Sequence, residues 1–195
     1  MTRADKDNPV VLSKIYTRTG DDGTTSLGDM SRTSKNDPRL AAYADVEEAN
    51  AVLGMALAGG LPDDVAEVLG RIQNELFDLG ADLSCPVREN PEFPPLRVEE
   101  SYITWLEEQC DAFNERLTPL RSFILPGGPN GLAALHLART VVRRAERTAW
   151  SAIEAHDDVN PLTVKYLNRL SDLLFILCRI AHNGEEILWK PGATR

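Results

Sequence analysis

Residues 135–150 read LHLARTVVRRAERTAW. At about 100° per residue, Ala138, Val142, Ala145 and Ala149 fall on one side of a helix, and Arg139, Arg143, Glu146 and Arg147 gather on an adjoining face. The run has none of the alternation a strand needs, and its stripe of small apolar residues suits close packing on another helix. The charged face has two readings. It is either a solvated run, which contributes little energy, or a set of arginines beside a packed seam, whose desolvation calls for a negative partner such as a triphosphate. Glu146 either orients Arg143 or Arg147 or joins a cation site.

Towards the C-terminus, Asn160-Pro161 supplies a cap and a proline at the first helical position, and Asn183-Gly184 supplies a stop. The helix between them, over 162–182, sets Lys165, Asn168, Arg169, Asp172 and Arg179 opposite Tyr166, Leu170, Leu173, Leu174 and Leu177. Asn168 offers both donor and acceptor groups, suited to a nucleotide or to bridging phosphate, while Asp172 is equally placed to pair with an arginine. Two opposed polar stripes in one bundle point to a shared cleft.

Towards the N-terminus, SFILPGGPNG over 122–131 reads as an extended piece ending in a turn. Before it lies a helix over 99–115 with Tyr102, Leu106, Gln109 and Phe113 on its apolar side. The connector 85–96 carries Pro86, Pro91, Pro94 and Pro95. A helix over 63–83 buries Val65, Leu69, Ile72, Leu76 and Leu79. The first helix follows the cap Asn36 and its Asp37-Pro38 and continues to about residue 58. Its core side is Ala42, Val46, Ala49, Leu53 and Leu57, and Tyr43, Glu47, Asn50 and Gly54 face a neighbouring helix or subunit. The expected fold is all-α, a five-helix bundle in one domain over 14–187, between a flexible tail at 1–13 and a second tail at 188–195.

The segment 14–35, KIYTRTGDDGTTSLGDMSRTSK, is dense in Gly, Thr, Ser and Asp and has almost no apolar periodicity. It reads as a structured loop, and loops this long inside a domain are often functional. Its glycines permit sharp turns, and exposed N–H and hydroxyl groups can wrap phosphate oxygens. Lys35 lies near the positive end of the first helix. A surface turn cluster is the competing reading, and the absence of GxxxxGK[ST] excludes a Walker A loop.

Thirty acidic residues against 21 basic ones give a net charge of -9 and a pI near 4.9. A broad electropositive footprint for nucleic acid or anionic lipid is thereby excluded, and an anionic ligand must be gripped locally. No stretch reaches the ~20 apolar residues of a membrane span, and the expected location is the cytoplasm. Cys85, Cys110 and Cys178 are spaced for neither disulfides nor a metal knuckle, and His136, His156 and His182 lack companions at zinc-ligand spacing. Read alone, Phe123 belongs to the core.

The motifs TRTGDDGTT (17–25), KNDPR (35–39), RIQNELFDLGADL (71–83), FILPGG (123–128), ARTVVRRAER (138–147) and KYLNRLSDLLF (165–175), in this order and spacing, closely resemble the propanediol-utilisation type of ATP:cob(I)alamin adenosyltransferase, the cobalamin adenosyltransferase family. The resemblance implies a five-helix domain assembled as a homotrimer, with active sites between adjacent subunits. It implies that Thr17, Gly20, Asp21, Gly23, Thr24, Ser26 and Lys35 cover ATP, that Arg143 contacts the triphosphate, that Asn168 supports the nucleotide, and that Glu146 organises charge or the Mg²⁺ environment; Arg18 and Arg147 are further candidates for binding the cofactor. It further implies that Arg139 pairs across subunits with the acidic residue of the first helix, and that Phe123 fills the lower side of the corrinoid and displaces its dimethylbenzimidazole. The implied reaction uses ATP, Mg²⁺ and cobalamin, with cob(II)alamin first reduced to cob(I)alamin by a transient flavoprotein or other reductase, and an adenosylcobalamin-dependent mutase as an acceptor. Two departures stand out: Glu47 occupies the usual aspartate position, and Asp22 stands where lysine is common. A non-catalytic ATP or corrinoid delivery module is the alternative.

Overall fold

The computed structural model describes residues 16–91, 94–184 and 186–193, so the expected tail at 1–13 lies outside the described residues. A short antiparallel hairpin, β1 (Thr24–Ser26) and β2 (Arg32–Ser34), precedes five helices: α1 (Pro38–Ala58), α2 (Asp63–Ser84), α3 (Glu100–Asn114), α4 (Asn130–Ala155) and α5 (Leu162–His182). The all-α bundle expected from periodicity is present. The hairpin was not anticipated, because it carries no apolar alternation; its register pairs Thr24 with Ser34 and Ser26 with Arg32.

Helix starts follow local capping chemistry. Asp37, rather than Asn36, caps α1: its backbone is extended and its carboxylate accepts the Arg39 N–H at 2.8 Å. The proline at the first helical position loses no hydrogen bond there. At the start of α5, Asn160 Oδ1 accepts the Leu162 N–H at 3.0 Å. Asn183 closes the helix in the left-handed conformation, φ 50°, which asparagine tolerates better than most residues.

α1 and α4 pack antiparallel through small residues. Ala42, Ala49, Ala138, Ala145, Ala149 and Ala152 are fully buried, allowing close approach along the seam. At one end the backbones touch: Gly131 N–H donates to Gly59 O, and a Cβ added at Gly59 would lie 2.4 Å from Gly131 N. At the other end, His156 Nε2 meets Asp37 Oδ1 at 2.8 Å. α2 joins α5 through the buried Glu75, which accepts from Tyr166 Oη at 2.8 Å and from Arg71 Nε at 2.7 Å. α3 buries Ile103, Leu106 and Phe113, a stripe rotated from the expected one; Tyr102 is only partly buried, its hydroxyl donating to Asp78 at 2.9 Å.

The piece after Ser122 finds a partner at the C-terminus. Ile124 bridges Leu188, Leu125 N–H donates to Ile187 O at 2.8 Å, and Trp189 N–H donates to Phe123 O at 2.7 Å. The expected boundary between residues 187 and 188 falls inside this pairing.

His136 and His182 also meet, their Nε2 atoms 3.2 Å apart, one donating and the other accepting. His136 is 3% exposed. Burial, His182 and the Arg139 cation push its pKa down to about 4. The unfolded chain therefore takes up a proton near pH 6.5 that the folded chain refuses, so this contribution is complete above about pH 6.5 and is lost as the pH falls to about 4, by at most about 3 kcal/mol. Urea midpoints at pH 7.5 and 4.5 are expected to differ less for His136→Gln than for the wild type; equal differences would show that His136 does not carry this window.

Candidate functional site

The N-terminal loop is a folded hairpin arm. A Cβ built on Gly20 would lie 2.9 Å from Lys35 Nζ, so the ammonium rests directly on the glycine backbone. Lys35 N–H donates to Gly23 O at 2.9 Å, and Gly23 has φ 83°, open to glycine and strained for most other residues. Thr17 and Thr19 hydroxyls lie 2.9 Å apart, and the Arg18 guanidinium stands 5.6 Å from the Tyr16 ring. Asp22 folds back on the arm, accepting from Thr24 N–H at 2.9 Å and Thr24 Oγ1 at 2.7 Å. The Thr24 hydroxyl bond is the main force holding its carboxyl below the usual range. Arg32 is spent internally on Thr19 O, at 2.7 Å, and on Thr24 Oγ1. Asp21 is exposed. Among the described residues, Lys35 makes no ion pair.

The arm is fixed at both ends. At its base Thr33 Oγ1 donates to Asp37 at 2.7 Å. At its tip Gly28 N–H donates to Ser84 O at 2.8 Å, and Asp29 pairs with Arg88 of the connector. Two cavities flank it. One of about 300 Å³ is lined by Thr25, Lys35, Leu40, Ala41, Tyr43 and Ala44. The other, an apolar groove of about 740 Å³, lies against α1 and α2 and includes Ser26, Tyr43, Glu47, Asn50 and Phe77.

The second set of residues lies on α4 and α5. Asn168 Nδ2 donates to Glu146 Oε1 at 3.1 Å, bridging the two helices. Arg143 and Arg147 are exposed and, among the described residues, have neither hydrogen bond nor ion pair. Arg139 is half-buried over the Phe175 ring at 5.9 Å, and its buried Nε has no partner. Neighbouring arginines contrast sharply. Arg144 pairs with Asp45 and Glu48 on α1, and Arg169 pairs with Glu107 of α3 at 2.9 Å and with Asp172 at 3.4 Å. The polar stripe expected on α5 is thus divided. Asn168 turns to α4, whereas Lys165, paired with Glu100, and Arg169 turn to α3.

Within one chain no hydrogen bond or ion pair joins the arm to the α4/α5 face among the described residues. Arg139 and Glu47 are likewise not paired within the chain, and Glu47 is exposed in the groove. Phe123 is 69% exposed rather than part of the core, because Ile124 takes the inward side of the extended piece and leaves its neighbours facing out. Leu125, Ile187 and Trp189 extend its apolar ridge. The C-terminal half of that ridge was missed in the sequence, although the apolar triplet 187–189 after a helix stop was the available signal. The described residues hold no group of three His, Cys, Asp or Glu that could bind a metal ion, and no helix long and apolar enough to cross a membrane.

The model of the cobalamin adenosyltransferase family matches residues 15–181. The chain belongs to this family. Corrinoid adenosyltransferase of Mycobacterium tuberculosis (strain ATCC 25618 / H37Rv) is 61% identical over 188 residues, spanning 95% of this chain and 97% of that protein. The corrinoid adenosyltransferase of Bacillus subtilis (strain 168) is 38% identical over 174 residues, 87% of this chain and 86% of that one. Among solved structures, a variant PduO-type ATP:corrinoid adenosyltransferase from Lactobacillus reuteri, complexed with cobalamin and ATP, superposes with a TM-score of 0.83 at 35% identity, covering 91% of this chain and 99% of that one. The five-helix bundle is therefore the cobalamin adenosyltransferase fold, and the arm, the α4/α5 face and the Phe123 ridge are features of a member of that family.

Proposed function

We infer that this chain transfers the 5′-deoxyadenosyl group of ATP to the cobalt of cob(I)alamin, forming adenosylcobalamin and releasing triphosphate. The observation that carries the reading is a selective one. In a chain of net charge -9, Arg144 and Arg169 are neutralised by carboxylates while Arg143 and Arg147, beside the Glu146–Asn168 bridge, are left open. Unpaired cations flanking a helix seam are suited to a polyanionic leaving group. The family relationship supplies the identity of that group.

Cob(I)alamin cobalt is the nucleophile and attacks C5′, so the protein needs no serine or cysteine nucleophile. Its own residues align and stabilise. Thr17, Arg18, Gly20, Asp21, Gly23, Thr24, Ser26 and Lys35 enclose ATP from one subunit. Arg143 and Arg147 take the departing triphosphate on the other, and Asn168 holds the nucleotide beside Glu146. Arg139 pairs with Glu47 of an adjacent subunit in a homotrimer, which gives its open Nε side a carboxylate. The extra methylene of Glu47 relative to aspartate changes the geometry of that pair and tunes ATP affinity. Mg²⁺ fits a donor set with a single carboxylate on the arginine face: held mainly through ATP phosphates, with Glu146 as the one protein ligand, it would neutralise charge on the triphosphate.

The exposed Phe123 ring occupies the lower face of the corrinoid in place of dimethylbenzimidazole, and the four-coordinate cob(II)alamin so formed is easier to reduce. A flavoprotein or other corrinoid reductase is the transient partner, an adenosylcobalamin-dependent mutase the acceptor, and the cytoplasm the setting for a single domain over 14–187.

Anaerobic incubation with reduced cobalamin, ATP and Mg²⁺, followed by identification of both products, tests the reading. Adenosylcobalamin and triphosphate in equal amounts are expected. Phosphate or diphosphate without a cobalt–carbon bond would instead make the chain an ATPase, and unchanged ATP beside bound corrinoid would make it a delivery module.

A further inference from the structure

Trp150 stands on the arginine face, outside the set of residues assigned to ATP, triphosphate and corrinoid. Counted from Arg139 at about 100° per residue, Glu146 lies about 20° to one side and Trp150 about 20° to the other, with Arg143 at about 40° and Arg147 at about 80°. The indole is on the centre line of the face. It is 49% exposed, whereas Ala149 and Ala152 beside it are fully buried, and its N–H has no acceptor among the described residues. At about 1.5 Å per residue it lies about 6 Å beyond Glu146 and about 10 Å beyond Arg143 along the helix axis.

The facing helix leaves the indole open. Arg139 lies over Phe175 and Glu146 bonds Asn168, so seven residues forward on α4 correspond to seven back on α5, and Trp150 is level with Val164 and Lys165. Val164 is buried, and Lys165 is drawn away to Glu100. A flat, open, uncharged aromatic surface thus follows two free guanidinium groups along one face, in the order in which a nucleoside triphosphate presents phosphates and base.

We propose that Trp150 stacks on the adenine base of ATP while Arg143 and Arg147 hold its phosphates, and so anchors the nucleoside end of the substrate. This rests on the reading of the arginine face given above. Stacking suits the indole because every base has a π-face, and loss of one such contact weakens binding by about tenfold. The orphan N–H, which lies in the plane of the ring, adds a donor for the ribose beside the stacked base.

Trp105 and Trp189 are the other indoles, and the Trp105→Phe/Trp189→Phe protein leaves Trp150 as sole reporter. In that protein, without corrinoid, ATP is expected to quench the fluorescence, while tripolyphosphate competes for the site without quenching. In the otherwise native enzyme, Trp150→Ala is expected to raise KM for ATP about tenfold with kcat and the corrinoid KM little changed, and Trp150→Phe to restore most of the loss. Equal quenching by tripolyphosphate, or an unchanged KM in Trp150→Ala, overturns the assignment. A fall in assembly mass in Trp150→Ala, with fluorescence indifferent to ATP, overturns it in favour of a contact with a second copy of this chain. Failure of the wild type to form adenosylcobalamin would sink the parent reading instead, while the quenching result would still report on base binding.

Discussion

Arg143→Ala is expected to lower kcat/KM for ATP by about 10²–10³-fold, the loss typical when a donor aimed at developing charge is removed, with the helical content and assembly mass unchanged. The structure explains why function and folding separate here. Arg143 makes no bond to the rest of its chain among the described residues, whereas the adjoining seam is closed by the fully buried Val142, Ala145 and Ala149. Truncation therefore removes charge without opening the core. Arg144→Ala is the internal control. That side chain is committed to Asp45 and Glu48 across to α1, a partly exposed network whose loss costs about 0–1 kcal/mol of stability and leaves turnover nearly intact. Arg143→Lys keeps a point charge but not the planar fork and is expected to fall between the two. The measurement is the initial rate of adenosylcobalamin formation over a range of ATP concentrations at saturating corrinoid. Wild-type turnover by Arg143→Ala at limiting ATP would remove this residue from the phosphate grip.

The five helices were legible because their ends are written in local chemistry. Asn160-Pro161 and Asn183-Gly184 set α5 at Leu162–His182, the span read from the sequence. Choosing between Asn36 and Asp37 as the cap of α1 required the backbone, since both side chains can accept from a helix N–H. The hairpin was illegible for a different reason. Its stability comes from Arg32, Asp22 and the anchors at Ser84 and Arg88, none of which leaves an alternating pattern. Helix phase placed Arg143, Glu146, Arg147 and Asn168 on polar faces, but it could not show that α3 would claim Arg169 and Lys165. The His136–His182 contact joins residues 46 apart in sequence, beyond the reach of any local rule. Trp150 was equally visible in the run 135–150, yet its meaning depends on Val164 and Lys165 leaving it uncovered.

The largest effect on stability is expected at Asp82, a residue without a place in the chemistry. Its carboxylate is 1% exposed and gathers three donors: Arg97 Nη1 at 2.5 Å, the Val98 N–H at 2.7 Å and Asn160 Nδ2 at 2.7 Å. It thereby ties the end of α2 to the start of α3 and to the cap of α5. Asp82→Ala leaves the partly buried Arg97 without its carboxylate and the Val98 N–H without an acceptor, and is expected to cost about 3–5 kcal/mol. Asp82→Asn keeps one accepting oxygen and the shape but turns a donor towards Arg97 or Asn160, so it should recover only part of that loss. Urea unfolding followed by circular dichroism measures both. The damage should reach the nucleotide arm before global unfolding, because the arm's tip hangs on Ser84 and Arg88, directly after Asp82 in the chain. In mild urea, the ATP affinity of Asp82→Asn is therefore expected to fall while helical content is still native. If ATP affinity and helical content were lost together, the arm would be part of one cooperative unit with the bundle, and the anchor at Asp82 would serve stability alone.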